Sequence, residues 1–180
     1  MNWTANTHVP PRQAAAVVLY RNAPAFETLM IQRNPALRFM GGHHAFPGGA
    51  FEAEDAHIPV TGAADAVLAA RVVCAAREVF EETGLFLWRG ALPERDALRD
   101  ARSALLEKTC PFAEVLRRFG GTLDAADFAP AGIWITPPFS PIRFETQYFL
   151  ARYDGPDWEE LTSRSTEIVG LEWVRPGAIR

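Results

Sequence analysis

The chain has 180 residues, 48% of them hydrophobic, which is enough for one domain, spanning 1–180, with a substantial core. Its 18 Lys and Arg stand against 22 Asp and Glu, a formal net charge of −4, so it lacks the basic surplus that grips a nucleic-acid backbone. Chemistry on a small molecule, with no nucleic-acid partner, is the expectation. No apolar run approaches the ~20 residues that span a bilayer, and the opening "MNWTANTHVPPRQAAAVVLY" lacks the basic and apolar regions of a secretory signal. No membrane partner and a cytoplasmic location follow as expectations, with Cys74 and Cys110 as reduced, structural thiols.

In chain order, "AAAVVLY" (Ala14–Tyr20) and "FETLMIQR" (Phe26–Arg33) read as strands separated by the turn-prone "RNAP". "HHAFPGGAFEAED" reads as strand and turn, bent at Pro47, Gly48 and Gly49. From about Ala64 to Thr83 the pattern becomes helical: Leu68, Val72, Ala75, Ala76 and Val79 share one side, widened by Val73 and Phe80, and Gly84 stops the helix. A second helical region covers about 95–119, interrupted at Pro111. Three more strands follow, "AGIWIT" (Ala131–Thr136), "FETQYFLARY" (Phe144–Tyr153) and "EIVGLEWV" (Glu167–Val174). Trp134, Phe139 and Phe144 are expected in the core. "EWVRPGAIR" resembles a strand ending and a helix beginning, as in a chain that is short there or is a segment of a longer one.

Near the end of the first helix, Glu78, Glu81 and Glu82 occupy an arc of about 100° away from the apolar face. Like charges at i,i+3 and i,i+4 cost roughly 0.2–0.5 kcal/mol per pair, and the macrodipole disfavours anions at a helix C-terminus. A wet surface with Arg77 loosely pairing Glu81 is the plain explanation. A hard divalent cation is the sharper one, because Mg²⁺ takes oxygen ligands and bridges carboxylates to phosphates.

The spelling around the glutamates, "REVFEETGL" (Arg77–Leu85), resembles the core of the Nudix hydrolase signature, with a chance match on the order of 10⁻⁵ in a chain this long. The upstream half departs from it. Gly49 is followed at the right distance by Asp55 in place of glutamate, and 21 residues rather than seven separate Asp55 from Arg77, which suggests an enlarged loop before the helix. The resemblance implies a Nudix α/β/α sandwich, a mixed β-sheet between helices, with the box at about 48–85 and the extra helical insertion at about 95–119. It implies Mg²⁺ or Mn²⁺ held by Glu78 and Glu82, with Glu81 as a further ligand or the carboxylate that orients water. It also implies that Arg77 fixes the glutamates and that the Gly48–Gly49 turn admits metal and substrate.

"LMIQRNPALRFMGGHHAFPGG" (Leu29–Gly49) partly resembles the motif of the coenzyme A diphosphatase branch: Leu29, Met30, Arg38, Gly42 and Phe46–Gly49 fit, and Ile31 and Asn34 do not. Coenzyme A or an acyl derivative is therefore the first substrate expectation, with ADP-ribose or a nucleotide sugar as the enzymatic alternative and a non-catalytic nucleotide sensor as the other. Arg33 and Arg38 are candidate phosphate donors, and Phe46 a substrate contact. Arg143 and Glu145 are expected to share one face of a strand. There they are either a surface ion pair or a phosphate ligand and an additional general base. His43 and His44 point to opposite faces and are assigned to structure or substrate packing. The expected partner is a nucleoside-diphosphate small molecule, with room for a homodimer.

Overall fold

The computed structural model describes residues 10–22, 25–37, 40–140, 142–156 and 167–178. Strand β1 (Arg12–Arg21) has Ala14–Val17 and Leu19 buried, and it pairs in parallel along its length with β8 (Phe144–Arg152). Its other edge is shared. Near the hairpin, Tyr20 and Arg21 face Thr28 and Glu27 of β2 (Glu27–Arg33), whereas Ala14–Ala16 face β4 (Gly48–Ala50). Beyond the hairpin β2 takes β3 (His44–Ala45) on the edge it began by sharing with β1, and β9 (Ile168–Val174) on the opposite one. The two opening strands thus diverge, and residues 44–50 bridge the split. Across the main sheet β9 lies outside β2, β3 and β4 fill the split between β2 and β1, and β8 follows β1, with β7 (Ala129–Ile135) antiparallel to β8 at the other margin. The sheet is mixed, as expected.

Helix α1 (Ala66–Thr83) begins where the Asp65 carboxylate accepts the Leu68 N–H at 2.7 Å and ends at Gly84, whose φ of 75° is a left-handed conformation that glycine adopts without strain. Its apolar side (Val72, Val73, Ala75, Ala76, Val79 and Phe80) is fully buried with Ala15, Val17, Leu19 and Phe149 of the sheet. Part of the added length between Asp55 and Arg77 forms the first half of this helix. The rest makes a 3₁₀ turn, Ala53–His57, and the short strand β5 (Val60–Thr61).

The helical insertion is two helices, α2 (Arg95–Leu106) and α3 (Phe112–Arg118), divided at Pro111. Proline there ends nothing but begins α3, its missing N–H being one a helix start leaves unpaired anyway. Trp88 joins the insertion to α1: its ring meets Phe80 edge-on at 5.2 Å, Phe112 at 6.2 Å and stacks on Phe119 at 6.1 Å. After α3, β6 (Leu123–Asp124) pairs in parallel with β5, a two-residue contact too short to leave a periodic signal in sequence.

The aromatic expectation needs correcting. Trp134 is 63% exposed and Phe139 53% exposed, and Phe144 is half-buried. Alternation places a residue on one face of a strand, but whether that face is covered depends on what packs there. Among the described residues no helix packs over β7, whose seven residues are all exposed. Among the described residues no helix is long and apolar enough to cross a membrane.

Phe80 carries the contact between α1, the sheet and the insertion. Phe80→Ala is expected to lower unfolding free energy by about 3–5 kcal/mol in a denaturant titration, against a small change for exposed Phe139→Ala.

Candidate active site

The glutamate-bearing helix is held by one buried cation. The Arg77 side chain is 3% exposed and all its donor groups are engaged. Nε and Nη2 grip the two Asp55 oxygens at 2.9 and 3.0 Å, and Nη2 also donates to the Ala50 carbonyl at 2.9 Å. Nη1 donates to Glu78 Oε1 at 2.9 Å and to Glu81 Oε2 at 3.4 Å. Asp55, the aspartate that replaces the signature's glutamate, is therefore the arginine's fork partner and is itself buried. Its Oδ2 also accepts the Glu52 N–H, which fixes the 3₁₀ turn that presents it.

The glycine turn comes into contact with the acids. A Cβ on Gly49 would lie 2.5 Å from the Glu78 carboxylate, and one on Gly48 would lie 2.4 Å from the Ala15 carbonyl. The Gly48 N–H donates to Glu82 Oε2 at 2.8 Å. Only glycine lets the β4 backbone come this close.

The acids are not surface decoration, since the Glu78 and Glu81 side chains are each 13% exposed. Burial pushes the Glu78 carboxyl up to about 7, with Arg77 opposing and Glu81 adding to the rise. Burial likewise raises Glu82 to about 8, reinforced by Glu78 and opposed by the Gly48 N–H and Arg33. Glu81 is raised too, first by burial. The cluster gathers anions where water cannot pay their solvation cost, which is the situation a cation relieves.

The insertion serves this helix directly. Buried Arg102 of α2 donates to the carbonyls of Glu81 and Glu82 at 2.9 and 3.2 Å, placing positive charge at the negative end of α1. Lys108 bonds Glu52 at 3.0 Å and lies 3.9 Å from Glu81 Oε1. Neither cation was singled out in the sequence, because nothing local shows that α2 folds back onto the end of α1.

Glu78, Glu81 and Glu82 line a cleft of about 590 Å³ together with Arg33, Phe46, Gly48, Gly49, His43, His44, Met40, Phe144, Tyr148 and Glu167. Five of the expected site residues besides the glutamates thus share it, if Arg77 is counted through its contacts. Glu167 is an acid that sequence reasoning missed. Its backbone carbonyl accepts the Asn34 N–H at 2.8 Å, which holds it beside the end of β2, a long-range pairing with no local motif. Arg33 Nε is buried without a hydrogen-bond partner among the described residues. Arg38 lies outside the described residues.

Glu145 and Arg143 require correction as cleft groups. Glu145 lies on the α1 side of the sheet, bound at 2.9 Å to Arg71, Arg143 precedes the strand, and neither residue lines the cleft. Arg143 Nε donates to the Thr136 carbonyl at 3.3 Å. Alternation in sequence leaves open which side of a strand faces substrate.

Among the described residues no three acidic, histidine or cysteine side chains converge on one point as a preformed ligand set; Glu78 and Glu81 turn toward Arg77, and Glu82 toward Gly48. The donors nonetheless suit a hard cation. They are anionic oxygens, and Glu81 Oε1 is buried without a hydrogen-bond partner.

A crystal structure of a NUDIX hydrolase from Alicyclobacillus acidocaldarius superposes with a TM-score of 0.77 at 28% identity, covering 92% of this chain and 79% of that one. The fold is the Nudix fold. A MutT protein from Methanosarcina mazei, at 17% identity and a TM-score of 0.51 over 93% of this chain and 78% of its own, shares that Nudix architecture. In sequence, the chain is 26% identical over 169 residues to a Caenorhabditis elegans protein bearing the name nudix hydrolase 7, matching 92% of this chain. The chain spans about half the length of that curated relative, 52%. These names support the Nudix hydrolase family. No protein-family model matches the chain.

Two outcomes follow from the geometry. Glu78 and Glu82 hold protons more tightly folded than at the ordinary value of 4.5, so between that value and about 8 the folded state binds more protons than the unfolded one. Their contribution to stability is then complete at low pH and is lost as pH rises through 7 to 8. Melting temperatures in EDTA should fall across that window, and Glu82→Gln should flatten the slope. Asp55→Asn leaves a buried guanidinium without its charged partner and should cost about 3–5 kcal/mol in a urea titration, whereas Asp154→Asn at an exposed pair should cost under about 1 kcal/mol.

Proposed function

We propose that this protein hydrolyses a phosphoanhydride bond in a nucleoside diphosphate linked to another group, using Mg²⁺ or Mn²⁺ held by Glu78, Glu82 and Glu81. The observation that carries this reading is the arrangement of three half-buried carboxylates on one helix, facing a cleft across a turn where Gly49 leaves no space for a side chain. When bound, the cation polarises phosphoryl oxygens and lowers the pKa of a coordinated water.

The protein's own residues supply the rest. Arg77 fixes Glu78 and Glu81 relative to each other. Glu82 is held by the Gly48 N–H. Glu81, with one buried oxygen free of hydrogen bonds, is the carboxylate that orients the attacking water and takes its proton. Arg33, on the cleft wall and short of a partner at Nε, supplies forked donors to the diphosphate. Phe46, Met40, Phe144 and Tyr148 give the remainder of the substrate an apolar wall. Glu145 takes no part, because its ion pair with Arg71 holds it off the cleft.

Coenzyme A or an acyl derivative is the first substrate assignment, supported by the spacing of Leu29, Met30, Gly42 and Phe46–Gly49 and by a cleft that joins basic and apolar walls. A panel of coenzyme A, an acyl derivative, ADP-ribose, a nucleotide sugar and dinucleotides, assayed with Mg²⁺, decides the matter. Cleavage of coenzyme A to adenosine bisphosphate and phosphopantetheine is expected. Turnover of ADP-ribose alone would replace the substrate and keep the chemistry, and binding of nucleotides without any turnover would make the protein a sensor. Glu82→Gln should lower kcat on the order of 100-fold with the fold intact by circular dichroism. Glu145→Gln should stay within about twofold of the parent rate.

A further inference from the structure

Arg12, the first residue of β1, is exposed on the wall of the acidic cleft. Its guanidinium carbon lies 5.9 Å from the centre of the Phe144 ring. The Arg12 backbone N–H donates to the Arg143 carbonyl, but among the described residues its side chain has no hydrogen bond and no carboxylate partner. Arg21, Arg71, Arg89, Arg117 and Arg152 each hold a carboxylate. In a chain with a net charge of −4, a cleft cation without an internal partner is open to a ligand.

Strand register sets how far this charge lies from the acids. Gly48, whose N–H holds Glu82, faces Ala16, and Gly49, against which Glu78 rests, faces Ala15. Arg12 is three to four residues nearer the start of β1, about 10–13 Å at the rise of an extended strand. Its guanidinium does not swing back along that distance, because it sits over Phe144, its neighbour at the same level of β8. Strand β8 also flanks β1 on the side away from β4. Arg33, the other arginine of the cleft wall, ends β2 across the split. Between Arg12 and the glutamates the floor is low, since Ala14, Ala16 and Thr146 carry only small side chains.

We propose that Arg12 binds a second anion of the substrate, a phosphomonoester carried on the order of 10 Å from the scissile anhydride. This rests on the hydrolytic reading and narrows it to nucleoside-diphosphate conjugates that bear one further phosphate. The two phosphates of an anhydride are adjacent, so they cannot occupy the glutamate end of the cleft and reach Arg12 as well. Phe144 holds the guanidinium by the charge of its ring face and takes none of its N–H donors. Those donors remain for a phosphate, which a planar fork grips with two parallel bonds. A neutral sugar or base would leave the charge unanswered.

The size of the effect follows from exposure. Hydrogen bonds to a charged group are strong enough to change affinity about tenfold. Arg12 faces water, so salt screens its attraction for an anion. The residue therefore acts as a selector among conjugates, through how tightly they bind, while the glutamates act on the anhydride.

The test compares conjugates that differ by one phosphate, coenzyme A with its dephospho form and NADP with NAD, assayed with Mg²⁺. In at least one pair the parent should favour the phosphorylated member about tenfold in kcat/KM, through KM rather than kcat. Arg12→Gln should bring that ratio to within about twofold of unity, and Arg12→Lys should keep part of it. Raising NaCl from about 0.05 to 0.5 M should shrink the parent's ratio. Arg118→Gln removes a similar arginine from over Phe119, outside the cleft, and should leave the ratio at the parent value. Calorimetry reads binding without turnover: adenosine 3′,5′-bisphosphate should bind the parent about tenfold more tightly than AMP, and the Arg12→Gln protein should not distinguish them. A parent that shows no preference in either pair or in calorimetry, or a preference that Arg12→Gln leaves unchanged, would overturn the proposal. A calorimetric difference that depends on Arg12, with no turnover of any conjugate, would keep the anion site and sink the hydrolytic reading alone.

Discussion

The site depends on burying one guanidinium among three carboxylates. Arg77 ties the 3₁₀ turn at Asp55, the β4 backbone at Ala50 and two acids of α1 into one network. A planar, permanently charged fork can do this and a lysine cannot, because the Asp55 contact uses two parallel donors while others reach the glutamates. Desolvation of so many charges is costly, and it is offset only while every partner is in place. The network fixes position rather than adding much net stability, and position is what a group that orients water or metal must have.

Around this hub the remaining charges follow the helix. Three anions at a helix C-terminus oppose the macrodipole, and the structure answers with Arg102 on the last carbonyls and Lys108 near Glu81. The insertion that brings these cations is anchored by the Trp88 aromatic cluster, well away from the acids. Packing in one place thus sets electrostatics in another. Burial nonetheless raises the proton affinity of Glu78 and Glu82.

The cleft itself comes from divergence in the sheet. Because β1 and β2 pair only near their hairpin, β3 and β4 occupy the gap, and the turn between them is pressed against the acids. A sheet without this split would present Gly48 and Gly49 as ordinary edge residues. At the opposite margin no described helix covers β7, which leaves Ile133, Trp134 and Ile135 exposed.

Much of this was legible in one dimension. Helix α1 and its stop at Gly84, the break at Pro111 and five strands are local matters of periodicity and backbone preference, and periodicity survives in sequence. The acids stood out because they break local rules that only a partner in space can excuse. What the sequence withheld were relations between distant segments: Asp55 as the fork for Arg77, Arg102 on the helix end, Glu167 beside the cleft, and Glu145 turned to Arg71 instead. Alternation suggested that Glu145 and Arg143 share a face, but a strand carries no mark of which face is covered. Side-chain chemistry and spacing are written along the chain. Burial and partnership arise only when segments dozens of residues apart meet, and tertiary packing alone decided those.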